Sequence, residues 1–266
     1  MLISLIELCY LMMMMMMMMM MMIDQLLMQL NSDDNALQQT ALNQALLQKE
    51  AITPALLDII VQYPQLNGAR YNHRAFIAAL YLLAQFKEKA AYPVIVDFFI
   101  QKNAIELINT DCEVVSEGLG RILASVCGND LSLLKQLIEN RGIDNELRDA
   151  GLKALVVLYN KGQLLREELV TYLTYLLTYN IEEEKNPLFA SSLLIYCFKI
   201  YPEEFYALII KCYELNLINR DIINLDDIDS QMRVGKIRVL EQLNSNHHAQ
   251  FIDDVIYELK SCGCIT

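Results

Sequence analysis

Residues 117–140 read EGLGRILASVCGNDLSLLKQLIEN. Two apolar runs, LGRILASV (119–126) and LSLLKQLI (131–138), are parted by a short polar break. Within each run the apolar residues recur at helical spacing and do not alternate. Asp130 stands where a side-chain oxygen can cap a helix start. Gly118 and Gly120 leave room for a neighbouring helix to come close, and Glu117 and Arg121 are spaced for an i,i+4 ion pair. The stretch reads as a helical hairpin.

The hairpin recurs. ALYLLAQF (79–86), LGRILASV (119–126), LKALVVLY (152–159) and SLLIYCFK (192–199) can be laid over one another, with starts 40, 33 and 40 residues apart. Each is followed by a second amphipathic stretch: YPVIVDFFI (92–100), LSLLKQLI (131–138), EELVTYLTYLL (167–177) and EEFYALIIKCYEL (203–215). The breaks carry suitable chemistry, with Gly162 ending one helix and Glu203 and Glu204 following Pro202 in the first turn of another. Nothing alternates with period two. A paired-helix unit repeating at this length predicts an all-α chain, a right-handed α-solenoid of HEAT-like helix pairs forming an α-α superhelix. Tetratricopeptide and ankyrin patterns are absent.

Boundaries follow from the same punctuation. In ITPALLDII, Thr53 is placed to cap a helix that has Pro54 at its first position. This gives an N-terminal helical region (1–52), a repeat domain (53–217), and a C-terminal part (218–266) of linker, capping helices and frayed end. The linker carries Asp226, Asp227 and Asp229, an amphipathic helix starts near Gln231, and a last helix spans about 249–260.

The N-terminal region contains eleven consecutive methionines, Met12 to Met22. From Met1 to Ile23 the only clearly polar residues are Ser4 and Glu7. Twenty-three residues could cross a bilayer core of ~30 Å, which makes membrane attachment through 1–23 the lesser alternative. Against it, no Lys or Arg precedes Lys49, so a positive-inside anchor is missing, and Glu7 would lie within the span. A homopolymer helix sends its thioethers all round the axis, which does not suit a Cu(I) site. The expectation is a passive apolar helix lying against the first repeat.

Composition narrows function. A net charge of −12 with pI near 4.7 argues against nucleic acid and anionic membranes as ligands. The seven cysteines (9, 112, 127, 197, 212, 262 and 264) are odd in number and mostly sit in apolar helical runs. They read as small hydrophobes without a disulfide framework, in keeping with a reducing, cytoplasmic compartment.

Three strings carry a family resemblance: YNHRAFIAALYLLAQFKEKAAYPVIVDFF, EGLGRILASVCGNDLSLLKQLIEN and LRDAGLKALVVLYNKGQLLREELVTYL. They closely resemble a bacterial family known as domain of unknown function 1186, regarded as HEAT-like. The resemblance runs from about Thr53 to Asp229, and the opening MLISLIELCY also looks like the start of that family. It implies a soluble helical-repeat protein and carries over no catalytic residues. Some relatives end in a cysteine-rich zinc motif, whereas SCGCIT has Cys262 and Cys264 without the downstream ligands.

Candidate chemistry is sparse, and no cofactor is expected. Cys262, Cys264, His247 and His248 are weak zinc candidates, because their spacing does not match separated ligand pairs. His73 reads as a surface or capping residue with no orienting partner for base catalysis. SEGLG (116–120) lacks the Lys and spacing of a phosphate loop. The clusters EEEK (182–185) and DDID (226–229) read as solvated linkers. On a helical wheel from Leu169, the core residues of the third second-position helix centre near ~40°, while Tyr172, Tyr175 and Tyr179 centre near ~275°. Such a stripe either packs between repeats or forms an exposed ridge. These features favour a non-enzymatic scaffold that holds a protein or peptide on its second-position helices, with Tyr172, Tyr175, Tyr206 and Lys211 as contacts. The alternative is a metal-dependent or hydrolytic module whose site is dispersed across repeats.

Overall fold

The computed structural model describes residues 5–66, 73–101, 104–105 and 114–265. The protein is all-α, and no strand occurs among the described residues. Fourteen α-helices are described there. The first five are α1 (Leu5–Leu30), α2 (Asn35–Leu47), α3 (Lys49–Gln62), α4 (His73–Phe86) and α5 (Ala91–Phe99). Next come α6 (Leu119–Val126), α7 (Ser132–Glu139), α8 (Asn145–Asn160), α9 (Arg166–Tyr179) and α10 (Pro187–Lys199). The chain continues through α11 (Tyr206–Glu214), α12 (Leu225–Val234), α13 (Lys236–Ser245) and α14 (Val255–Ser261).

Local chemistry sets many of the boundaries. Asp34 accepts from Ala36 N and Leu37 N at the start of α2. Asn186 caps α10, which opens on Pro187, and Asn224 and Asp227 form a reciprocal capping box at α12. Asp130 accepts from Ser132 N just ahead of α7, as its position suggests. Gly162 takes φ +69° to close α8. Four other helix ends use a non-glycine residue in the left-handed region: Lys87 after α4, Lys185 after the π-helical turn that continues α9, Tyr201 after α10 and Asn216 after α11.

Helices α4, α6, α8 and α10 pack side by side in that order, while α5 packs on α7 and α9 on α11. The middle of α4 is buried on all sides from Ala75 to Ala84, so it is a core helix with no wet face. Full burial of a Leu, Ile or Phe side chain contributes about 1.5–3 kcal/mol, and this helix alone buries six such residues. Between α6 and α8 the backbones come very close at Gly120. A Cβ there would lie 2.6 Å from the Lys153 Cβ and 2.8 Å from the Ala150 carbonyl.

Several local expectations are corrected. Glu117 and Arg121 do not pair with each other: Arg121 binds Glu258, while Glu117 receives Lys153 Nζ. Helix α3 begins at Lys49, with Thr53 inside it donating to Lys49 O and Pro54 within its second turn. Asp226, Asp227 and Asp229 belong to α12 and are not linker residues. In the acidic run 182–185, Glu184 is drawn inward by Arg148, whose Nε also donates to Ile138 O at 2.7 Å. Burial by itself would raise the Glu184 carboxyl, but the Arg148 hydrogen bonds and charge override it and hold the group below its usual range. His73 does have a polar partner, the Tyr63 hydroxyl at 3.0 Å, and burial beside Arg74 lowers its pKa.

Both ends of the chain also differ from expectation. The methionines do not lie against the first repeat: Met12 to Met22 are 45–70% exposed, and α1 docks through its last turns, with Ile23, Leu26 and Leu30 buried and Leu27 packed beside them. Glu7–Leu30 is long and apolar enough to cross a membrane by length and composition. At the other end the expected fraying is replaced by packing, since Ile252, Val255, Leu259 and Ile265 are all buried. The last helix is α14, preceded by a single short turn at 247–249. Cys112 lies outside the described residues, and Cys264 is disulfide-bonded, which departs from the thiols-only expectation. Burial pushes the Cys212 thiol up to about 11 and Cys127 up to about 12, in keeping with small hydrophobes.

Two predictions follow from this packing. Gly120→Ala forces α6 away from α8 and is expected to lower unfolding free energy by about 1–3 kcal/mol in a denaturant titration followed by circular dichroism. The second concerns Glu204, which is clasped by Arg166 with Lys236 alongside. Hydrogen bonding to Arg166 holds its carboxyl down to about 2. A carboxyl lowered on folding adds stability above its unfolded value and loses it as pH falls toward the folded one. Thermal stability should therefore decline between pH 4.5 and 2, and Glu204→Gln should flatten that part of the Tm profile.

Candidate binding surfaces

Helix α9 carries tyrosines at 172, 175 and 179, spaced three and four residues apart and so on one stripe. Their rings form a ladder: Tyr172 and Tyr175 have centroids 6.2 Å apart at 25°, and Tyr175 and Tyr179 are 6.1 Å apart at 21°. The opposite face of the helix is committed to the core through Leu169, Leu173, Leu176 and Leu177, all buried. The two ends of the ladder are pinned by the preceding hairpin. Lys135 Nζ of α7 lies 5.1 Å from the Tyr172 ring centroid, and the Arg141 guanidinium lies 4.5 Å from that of Tyr179. The Tyr172 hydroxyl donates to Glu139 at 2.8 Å. Burial, then the adjacent carboxylate, raise that phenol far above its ordinary range, so it stays a neutral donor.

The two readings of the stripe are thus divided among its members. Tyr172 and Tyr179 pack between helices, whereas Tyr175 between them is 51% exposed. Lys135, Glu139 and Arg141 were not among the residues singled out for this surface. Their spacing on α7 and the loop behind it carries no signal until α9 is laid alongside. Tyr206 lies on the next second-position helix, half-buried, and donates to Asp229 Oδ1 at 3.0 Å. That bond raises its phenol and ties α11 to α12. Lys211 is exposed on the same helix.

The zinc candidates are engaged elsewhere. His247 Nε2 lies 3.2 Å from Glu258 Oε1, and His248 Nδ1 lies 3.3 Å from Glu117 Oε2. Cys262 Sγ is 3.1 Å from Cys264 Sγ, and burial raises the Cys262 thiol. Among the described residues no three His, Cys, Asp or Glu side chains are grouped to hold a metal ion. The histidines instead lie on the turn that packs on α8, with His248 reaching Glu117 in the turn ahead of α6.

That stretch forms a second polar cluster, buried and centred on Arg121. Arg121 Nη1 and Nη2 donate to the two Glu258 oxygens at 2.6 and 2.7 Å, with the side chains only 3% and 7% exposed. Its Nε donates to Gln250 O at 2.9 Å, and Nη2 also reaches Phe251 O at 3.2 Å. The sequence gives no hint of this pairing across 137 residues.

A relative from Chlamydia trachomatis serovar D is 33% identical over 244 residues, covering 90% of this chain and 94% of that protein. One from Chlamydia muridarum is 31% identical over 244 residues, covering 90% and 95%. Both carry the description "Uncharacterized protein". No solved structure matches. The family model described as "Protein of unknown function (DUF1186)" matches residues 21–266. The kinship therefore extends beyond 53–229 on both sides and leaves the opening MLISLIELCY outside the match. Over nearly its whole length, from the end of the methionine run onward, the chain belongs to the DUF1186 family.

Proposed function

We propose that the protein is a non-enzymatic binding scaffold, a right-handed α-solenoid of HEAT-like pairs that holds a peptide or protein segment on its second-position helices. The order of contacts supports the solenoid reading. First-position helices α4, α6, α8 and α10 neighbour one another in sequence order, and second-position helices pair likewise as α5 with α7 and α9 with α11.

The observation that carries the binding reading is the α9 ladder. A half-exposed tyrosine held between two stacked neighbours loses little side-chain freedom on binding, so ring contact gives affinity at low entropic cost. Cations at both ends of the ladder suit a segment bearing carboxylates, and exposed Lys211 on α11 extends the same surface. Peptides selected from a displayed library on the whole protein test this. Tyr175→Ala is expected to weaken the enriched peptides by ~10-fold or more, as for a buried aromatic anchor. Leu47→Ser, an apolar position on α2 more exposed than Tyr175, should leave them unchanged. Equal affinity of the Tyr175→Ala and parent proteins, measured by fluorescence anisotropy, rejects this surface.

A further inference from the structure

The C-terminal stretch retraces the helix stack in reverse. Helix α13 packs on α10, the turn at 247–249 on α8, residues 250–252 reach Arg121 and Ser125 of α6, and α14 lies on α4. Between the turn and α14 the backbone is extended, with φ −110° at Gln250 and −140° at Asp254. An extended segment cannot satisfy its own N–H and C=O groups, so something else must.

Side chains of the first-position helices do so. Asn160 donates to Ala249 O at 2.9 Å, and Arg121 donates to the Gln250 and Phe251 carbonyls. Ser125 Oγ accepts from Ile252 N at 3.0 Å, and Gln85 Oε1 accepts from Val255 N at 2.8 Å. Reading the main chain by polar side chains from successive helices is how a groove holds a peptide, with pockets for alternate residues adding selectivity. The pockets are present. Phe251 lies under two ammonium groups, Lys87 at 5.2 Å and Lys161 at 5.8 Å, and Ile252 beside it is fully buried. Lys87 Nζ also lies 4.0 Å from Asp253, and Arg121 takes Glu258 in a two-pronged clasp.

We propose that the face built by α4, α6 and α8 is a peptide-binding groove, occupied in cis by residues 249–258 of the same chain. Its trans ligand is an acidic peptide whose extended stretch carries an aromatic–aliphatic pair and is followed by a helical turn that brings a carboxylate to Arg121. Charge complementarity supports this choice of partner: in a chain of net charge −12, this face gathers Arg121, Lys87 and Lys161 against Asp253 and Glu258. Emptying the groove removes from Arg121, Ser125, Gln85 and Asn160 the main-chain groups that 249–258 supplies, so release favours capture of a segment offering the same pattern. This groove is separate from the α9 ladder, and either surface can fail without the other.

The test uses the whole protein and a fluorescein-labelled peptide of residues 246–265 with Ser at 262 and 264. Glu258→Gln weakens the clasp from the strap side. Phe251→Ala loosens the strap without stranding a buried charge, covering the case in which the first variant fails to fold. Both variants are expected to bind the labelled peptide at least ~10-fold more tightly than the parent, which competes with its own strap. Hydrogen exchange at 250–258 should quicken in both while α6 and α8 remain protected. Replacing Phe251 with Ala in the peptide should abolish the gain. Two results overturn the proposal: strap amides that exchange only with global unfolding in parent and both variants, or a released strap with peptide affinity no higher than the parent's.

Discussion

A guanidinium taken out of water must find acceptors for its N–H groups, and Arg121 finds four bonds, all in the C-terminal stretch. Removing one partner of such a pair strands a buried charge, which costs about 3–5 kcal/mol. The arrangement of the first-position face follows from this demand. Arg121 stands on α6, the central helix of that face, so Glu258 must come back across the stack to meet it. In doing so it draws residues 246–265 over α8, α6 and α4. The same movement delivers His247 to Glu258 and His248 to Glu117, placing two titratable rings beside a buried ionic core.

The two faces of the stack are consequently in different states. The first-position face is closed by the chain's own C-terminal stretch, with its polar groups read by side chains from three helices, α4, α6 and α8. The second-position face is open, and its most exposed aromatic, Tyr175, is held in a fixed ladder by neighbours that are themselves engaged. A second buried arginine, Arg148, serves the interior in a different way. Its clasp on Glu184 and its seat 3.4 Å over the Phe189 ring tie the loop after α9 to the start of α10. The cations gathered on both faces stand out against a chain of net charge −12, and they are what the proposed carboxylate-bearing segments would meet.

Helix positions were legible because they rest on short-range chemistry. The four first-position stretches fall inside helices, the second-position ones match helices to within one to three residues at their ends, and Gly120 permits the close approach its lack of a side chain suggested. Errors arose where a side chain had two possible partners. Arg121 had Glu117 one turn away, and the buried partner lay 137 residues on. Glu184 looked like one of several solvated carboxylates, and only Arg148 distinguishes it. Helix ends at Lys87, Tyr201 and Asn216 had no glycine to announce them, because tertiary packing holds a non-glycine residue in the left-handed region there.

The sequence by itself determined an all-helical chain, the hairpin period, the family and the tyrosine stripe on α9. Each of these is written in spacings of a few residues, where the 3.6-residue turn converts order along the chain into position on a face. Only the tertiary structure decided which stripe members stay exposed, where the buried arginines find their carboxylates, and that the C-terminal stretch lies along the stack. Those outcomes depend on which distant groups compete best for one another once water is excluded, and no local spacing encodes that competition.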